Sequence, residues 1–565
     1  MSEVRIATAA EALLARLKQN GVDYLFANAG TDFAPLVEAL ARAPASGIAM
    51  PEALAVPHET AAVAMAHGYT LVTGRPQAVM VHTNVGLANA LMGVINAASD
   101  DVPMLLCSGR TPVTEQGRQG FRDTPIHWGQ EMRDQAAMLR EVVKWDYELR
   151  FPEQAAELAD RALAIAASAP QGPVYMSLPR EVLCALYPGG LPARPLQRPA
   201  RPARPDDAAI DEAARILIRA ERPLILAQRS GDRARGMAAL VRLAEALGAP
   251  VVEHWCIRNS MPNGHDLHAG YDPHTLLAEA DAVLVVDAMV PWIPAKAQPP
   301  AGCPVIQLGA DPLFRKVPVR GFPADLALAG DVPETLEALA AALESRVPQA
   351  AARRAALAER NAKRRAAARE RAFAGQGAPM SPDWVSLCLG ETIGPEATVF
   401  AELGAVPALL PLERPGSFFG CTTAAGLGWA LPAALGAQLA DRDRLVVAAV
   451  GDGSYQFANP VACHQIAEAL GLPVLTIVFN NGLWNAVRRA TLQVHPDGEA
   501  ARANIMPLTS LRPSPDFAKI CEASRGWGIK VERGEDLPAA LAQALKVVRR
   551  ERRQALLNVS VGVAG

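Results

Sequence analysis

Apolar and polar positions change period repeatedly along this chain. From Thr8 to Asn20, Ala10, Leu13, Leu14 and Leu17 recur at helical spacing, Tyr24–Phe26 is a short apolar run after Gly21, and helical spacing resumes over Phe33–Arg42. Gln77–Val81 (QAVMV) predicts a buried strand, Gly86–Ala98 a helix and Pro103–Cys107 (PMLLC) the next strand. Strands that alternate with helices and lack hairpin turns predict a parallel sheet covered on both faces.

Near residue 190 the pattern stops. The stretch PGGLPARPLQRPARPARPDD repeats Pro every three or four residues with Arg between, which predicts a stiff, solvated linker over 188–206. A second α/β pattern follows: helix Ala208–Ala220, strand Pro223–Ala227, helix Ala238–Leu247, then strands Pro250–Glu253, Ala282–Asp287 and Pro304–Leu308. Leu336–Ala374 is Ala/Arg-rich with few large apolar residues, as in a solvated connecting helix. The last third repeats the theme with strand-like Thr398–Phe400, Leu445–Val450 and Pro473–Phe479 around a helical Asn459–Leu470. The prediction is an α/β chain of three doubly wound parallel-sheet domains in tandem: 1–187, 207–335 and 379–565, with 336–378 as the connecting helix.

Composition narrows the function classes. The 565 residues are 50% hydrophobic, which excludes intrinsic disorder, and a net charge of −3 provides no field of one sign for nucleic acid or an anionic membrane. The eight cysteines form no CxxC pair or zinc-spaced cluster, so they point to a reducing compartment, and the charged N-terminus lacks a signal-peptide core. A cytoplasmic protein is expected. Pro76–Ser99 and Pro415–Ala440 lack acidic and basic residues, but the first holds His82 and three Asn and the second five Gly and two Pro. Both read as buried segments rather than membrane spans.

Candidate chemistry concentrates at strand ends. Gly451-Asp452-Gly453-Ser454 directly follows LVVAAV, and Asn480-Asn481 closes PVLTIVF, with 26 residues between Ser454 and Asn481. Ligands of open α/β sheets bind at the carboxyl ends of strands. Glycines flanking Asp452 admit a phosphate close to the backbone, while Asp452 and the Asn481 oxygen are hard ligands suited to Mg²⁺ or Ca²⁺, so a metal-held diphosphate is the expected occupant.

These motifs resemble the GDG and NN pair of the thiamine-diphosphate-dependent enzymes of the pyruvate-oxidase, acetolactate-synthase and benzoylformate-decarboxylase type. The resemblance covers nearly the whole chain and implies pyrimidine-binding, middle and diphosphate-binding domains. It implies thiamine diphosphate with Mg²⁺ on Asp452, Asn481 and the backbone oxygen of Leu483, beside Gly451, Gly453 and Ser454. Pro57-His58-Glu59-Thr60 opens a helix, where a carboxylate is ordinarily a cap; the resemblance makes Glu59 the partner of N1′ of the aminopyrimidine of a cofactor held by another subunit. A functional unit of at least a dimer, a homotetramer by family pattern, follows. In Thr422–Pro432 the resemblance assigns Leu427 as the wedge between the cofactor rings and the Ala425 oxygen as acceptor of the 4′-amino group. His82, at the mouth of the strand AVMV, is similar in place to an active-site histidine of benzoylformate decarboxylases, and an imidazole there can shuttle a proton. In Asn28-Ala29-Gly30-Thr31-Asp32, Thr31 replaces a substrate-binding serine.

Departures are informative too. The second histidine of benzoylformate decarboxylases falls at Pro294, and His254, His265 and His268 cannot be assigned in its place. The hydroxyl-bearing diphosphate loop becomes Glu402-Leu403-Gly404-Ala405, leaving the backbone of Gly404 and Ala405 to bind phosphate. Phe121 resembles a substrate-channel aromatic of acetolactate synthases in position only. Gln228-Arg229-Ser230-Gly231 makes a poor dinucleotide loop, so FAD is not expected. The implied activity is decarboxylation of a 2-oxo acid, carboligation to an acceptor aldehyde, or both. The alternatives are an acetolactate-synthase-like transferase, a 2-hydroxyacyl-CoA lyase, or a non-catalytic binding homologue. No nucleic acid or membrane partner is expected.

Overall fold

The computed structural model describes residues 6–230 and 233–563, which form two compact units. The first comprises Met1–Arg201, Thr422–Asp443 and Ser454–Val474; the second comprises Pro202–Cys421, Arg444–Gly453 and Leu475–Gly565.

The first unit is built on a six-stranded sheet. Its strands are β1 (Tyr24–Ala27), β2 (Glu52–Ala55), β3 (Ala78–Val81), β4 (Met104–Arg110), β5 (Asp146–Glu148) and β6 (Pro173–Pro179). All pair in parallel in the order β2-β1-β3-β4-β6-β5. β3, β4 and β6 are buried throughout, as expected for central strands with helices on both faces. Within this unit helix Glu59–Thr73 meets helix Ala430–Ala440 backbone to backbone. A Cβ on Gly68 would lie 1.9 Å from the Ala433 oxygen and one on Gly436 would lie 1.9 Å from the Met65 oxygen, so only glycine permits the contact.

The second unit carries two sheets. The central one has β7 (Pro223–Ala227), β8 (Val251–Val252), β9 (Ala282–Val286), β10 (Val305–Gly309) and β11 (Leu326–Ala329) in the parallel order β11-β10-β9-β7-β8. The other has β12 (Thr398–Glu402), β13 (Phe418–Phe419), β14 (Val446–Gly451), β15 (Leu475–Asn480), β16 (Trp527–Val531) and β17 (Ala555–Ser560) in the order β13-β12-β14-β15-β17-β16. The three sheets thus match the expected α/β class. Inside this unit Asn259 and Asn263 tie the middle segment to the last sheet: the Asn259 amide donates to Ser417 Oγ at 3.1 Å and the Asn263 amide to the Leu410 oxygen at 2.8 Å.

The central strands lie where the apolar runs predict them. One helix does not. Leu336–Ala374 divides into the end of helix Val332–Leu343 and a separate helix Ala350–Ala374. Leu336, Leu339 and Leu343 are fully buried in the core of the central sheet, because their spacing forms an apolar stripe that the Arg-rich second half masks in the average. The Pro/Arg stretch is extended and mostly exposed, but it is held down: Leu196 N–H donates to Asp160 at 2.7 Å and Ala200 N–H to Ser168 Oγ at 2.9 Å. The eight cysteines are free, and no helix among the described residues is long and apolar enough to cross a membrane.

Candidate active site

The first and last sheets share one strand order, and in each the chain runs outward in both directions from a pair of neighbours, β1 and β3 or β12 and β14. Loops that leave such a pair in opposite directions open a crevice at the carboxyl ends of the strands. Of the sequence-predicted residues, those after β12, β14 and β15 and those after β1 and β3 lie at these two places, whereas Ala425 and Leu427 do not.

In the last sheet, Asp452 follows β14 and is 3% exposed. Its Oδ1 accepts the Gly453 N–H at 3.0 Å and its Oδ2 the Gly482 N–H at 2.7 Å. That second bond brings the turn after β14 to the turn after β15. Burial pushes the Asp452 carboxyl up, and these N–H donors pull it back. Asn481 Oδ1 accepts the Leu483 N–H at 2.9 Å, so Asn481 and Leu483 belong to the same turn. A buried carboxylate, a carboxamide oxygen and a backbone carbonyl form a set of hard oxygen donors that fits Mg²⁺. No cluster of three or more His, Cys, Asp or Glu that could hold a metal occurs among the described residues. Leu403 and Gly404 after β12 have φ of +64° and +117°, and Ala405 follows them. A Cβ on Gly404 would strike the Phe479 ring at 2.7 Å, and one on Gly453 would strike Trp484 at 2.1 Å. Backbone therefore lines this end of the sheet where side chains cannot fit.

The first sheet ends differently. His82 caps β3 at the start of helix Thr83–Ser99, and Thr83 is held at φ +32°, unusual for a β-branched residue. Asp32, 2% exposed, pairs through Oδ1 with His82 Nδ1, and its Oδ2 accepts the Thr83 N–H at 3.4 Å. Two glycines make the room: a Cβ on Gly30 would meet the His82 ring and one on Gly109 would meet the Asp32 carboxylate. The Asp32 carboxylate lifts the His82 imidazole above its ordinary value against the opposing effect of burial, with Glu59 adding a smaller attraction. On the other ring nitrogen, Gln130 approaches His82 Nε2 at 3.0 Å. Thr31 is exposed beside this pair, with His127 Nε2 at 3.5 Å from its Oγ1 and Arg180 donating to its backbone oxygen at 3.3 Å. Glu59 opens helix Glu59–Thr73, and its Oε2 accepts from Asn89 at 3.3 Å while Gly86 leaves space beside Oε1.

Ala425 and Leu427 lie in this same unit, on a segment held by the far end of helix Thr83–Ser99. The Asn96 amide donates to the Gly426 oxygen at 2.9 Å, and Asn96 Oδ1 accepts from Thr422 Oγ1 at 2.9 Å and from the Gly426 N–H at 3.0 Å. Ala425 is exposed with φ +52°, and Leu427 is half-buried. Ser454 Oγ is buried with no hydrogen-bond partner among the described residues.

Sequence reasoning missed Asp32, Asn96, His127, Gln130 and Arg180. Asp32 adjoined a singled-out residue, and its acidity next to Thr31 was the available signal. His127 lies in the one-turn helix Ile126–Gly129 and Gln130 directly after it, with no strand-end pattern to mark them. Of the middle-segment histidines, His268 is buried against Glu253 at 3.0 Å, His254 Nδ1 contacts the Val290 oxygen at 3.0 Å, and His265 faces Glu245 at 3.5 Å; Pro294 is exposed. After β7, Gln228 and Arg229 are buried, and Arg229 pairs with Asp287 at 3.2 Å; Gly231 lies outside the described residues. Phe121 is 40% exposed, and its backbone oxygen accepts from Arg180 at 2.5 Å.

Comparison with known proteins decides the family. Residues 7–138 match the N-terminal TPP binding domain of thiamine pyrophosphate enzymes, 210–339 the central domain and 403–559 the C-terminal TPP binding domain. The chain belongs to the thiamine pyrophosphate enzyme family. Among its relatives in this family, the probable 2-ketoarginine decarboxylase AruI of Pseudomonas aeruginosa is 30% identical over 95% of this chain and 91% of its own length. The benzoylformate decarboxylase of the same organism is 28% identical over 87% and 89%. The structure of the Rhodococcus jostii RHA1 thiamine diphosphate-dependent 4-hydroxybenzoylformate decarboxylase matches with a TM-score of 0.80 over 99% of this chain and 100% of that one, at 23% identity, a likeness of fold. Thiamine diphosphate is the cofactor of thiamine pyrophosphate enzymes, and this chain carries both of the family's binding domains.

Proposed function

We propose that this thiamine pyrophosphate enzyme is a decarboxylase of a 2-oxo acid that protonates its product or joins it to an acceptor aldehyde. The observation that carries the reading is the His82–Asp32 pair beside Thr31, an acid–base group at a strand-end crevice of the unit that also holds Glu59. The bound cofactor would supply the electron sink that lets a 2-oxo acid lose CO₂. The protein's share is to bind, orient and move protons. Asp452, Asn481 and the Leu483 oxygen would hold Mg²⁺; Gly404, Ala405, Gly451, Gly453 and Ser454 would receive the diphosphate through backbone N–H groups and one hydroxyl. The Ala425 oxygen and Leu427 would orient the aminopyrimidine, Glu59 would hold the proton at its N1′, Thr31 would bind substrate, and His82 would hand a proton to the substrate oxygen or carbon. The two groups of residues would serve one cofactor in an assembly of at least two copies. The inward-turned Gln228 and Arg229 support an enzyme without flavin, so purified protein should be colourless; a stoichiometric flavin spectrum would favour an acetolactate-synthase-like transferase instead.

The test is to incubate purified protein with thiamine diphosphate, Mg²⁺ and a panel of 2-oxo acids, with and without acceptor aldehydes, and to identify products. CO₂ release with an aldehyde or a hydroxyketone supports the proposal. Cofactor binding without turnover of any acid would support a binding homologue.

A further inference from the structure

The segment from Thr111 to Gln135, which includes the one-turn helix Ile126–Gly129, crosses the carboxyl end of the first sheet and is fastened at several points. Arg110 donates to Glu148 at 3.1 Å and to the Met132 oxygen at 3.0 Å, and Arg122 donates to the Pro112 oxygen at 2.6 Å. Arg110 and Arg122 both also grip Glu131. Glu181 accepts from Thr114 N–H and Oγ1, each at 2.9 Å, and Arg180 donates to the Gly120 oxygen at 2.9 Å. What this fastening presents is His127, only 2% exposed although its neighbours Ile126 and Trp128 are exposed at 42% and 48%.

The two nitrogens of His127 have different partners. Nδ1 accepts the Asp123 backbone N–H at 3.2 Å, which requires a lone pair there and leaves the ring proton on Nε2. Nε2 faces Thr31 Oγ1 at 3.5 Å, the outer limit of a hydrogen bond. A hydroxyl that accepts from an N–H is free to give its own proton to something else. The charged groups around His127 are Arg180 from the segment after β6, Arg122 and Asp123 from its own loop, and His82 after β3; the mostly exposed Asp123 carboxylate lies 3.4 Å from Nδ1 and also 3.4 Å from Arg180. Burial and the guanidinium of Arg180 push the imidazole down, opposite to the lift that Asp32 gives His82.

We propose that His127 is a second imidazole of this site, a positioning residue whose Nε2–H orients the Thr31 hydroxyl as a donor to substrate, while His82 on Asp32 is the imidazole that exchanges a proton with it. This rests on the reading that Thr31 and His82 face a 2-oxo acid. Paired groups whose surroundings drive their protonation apart divide acid–base work between them. The proposal supplies a second imidazole from the first unit.

The experiment uses the full-length holoenzyme with ring-¹⁵N histidine, its two signals assigned by the variants His82→Ala and His127→Phe. His127 should show the neutral Nε2–H tautomer unchanged between about pH 5.5 and 8.5, and His82 should titrate above its ordinary range, falling in Asp32→Asn. In turnover, His127→Phe should lower kcat by about tenfold at every pH without altering the shape of the pH profile, the worth of one lost donor. His127→Gln, whose amide nitrogen reaches the same place, should restore most of it. Cofactor C2 proton exchange should be unchanged in both. An Nδ1–H tautomer, a charge change on His127 within that range, full activity in His127→Phe, or a Gln variant as impaired as the Phe one would overturn the proposal. The nitrogen spectra, with the His127 signal assigned through His127→Gln if Phe at 127 fails to fold, decide the matter even if no 2-oxo acid is turned over, so failure of the functional reading stays separate from failure of this one.

Discussion

The first and last sheets have the same strand order, yet their crevices are made of different materials. At the end of the last sheet the chain offers backbone: Gly404, Gly451, Gly453 and Gly482, with Asp452 fastened by two N–H donors. At the end of the first sheet it offers side chains, with His127 and Arg180 against Thr31 and with Asp32 and Gln130 on either side of the His82 ring. The difference follows from the task each end can perform. Backbone N–H groups keep their charge state at every pH and suit a diphosphate that only needs holding, whereas proton transfer needs groups that titrate.

The sharpest way to break this comparison is at Asp452, the one carboxylate in its turn. Asp452→Ala should abolish retention of thiamine diphosphate even at high Mg²⁺, with the fold preserved by circular dichroism because the glycines of the turn remain; unchanged cofactor affinity would show that this end of the sheet does not hold the diphosphate. Next, Glu59→Gln should slow C2 proton exchange of the bound cofactor by orders of magnitude in the absence of substrate. His82→Ala, in contrast, should leave that exchange nearly intact and lower turnover by about 10²–10⁴-fold. Equal slowing of exchange in both variants would erase the division between activation and substrate handling.

Smaller effects come from the glycines. Gly453→Ala would press a methyl group onto Trp484, and cofactor affinity should fall while His82 chemistry at saturating cofactor stays normal. Gly30→Ala would press one onto the His82 ring and should do the reverse, lowering kcat with little change in cofactor affinity and costing about 1–3 kcal/mol of stability by overpacking. Isothermal titration and steady-state kinetics on the two variants separate the outcomes.

The two ends were unequally legible in the sequence. A backbone site leaves its mark locally, since glycines must stand where no Cβ fits, and so Gly451-Asp452-Gly453 and Asn480-Asn481 could be read directly. A side-chain site is assembled across the fold: Asp32 meets His82 from 50 residues away and His127 meets Thr31 from 96. No periodicity announces such partners. The strands divide in the same way. Buried β14 and β15 stand out as apolar runs, while edge strands such as Glu52–Ala55, mostly exposed, and the two-residue Phe418–Phe419 carry too little pattern to be seen. Leu336–Leu343 was misplaced because one apolar stripe adjoined a long Arg-rich helix.

The glycine-mediated contact between helices Glu59–Thr73 and Ala430–Ala440 also sets a schedule for the newborn chain. Met65 and Gly436 are separated by about 370 residues, which at roughly 5–20 residues per second take a ribosome tens of seconds to deliver. During that interval the helix that begins with Glu59 has a long, almost entirely apolar flank with nothing to lie against. A fragment that ends before Ala430 should therefore leave that flank uncovered and aggregate more readily than the full chain.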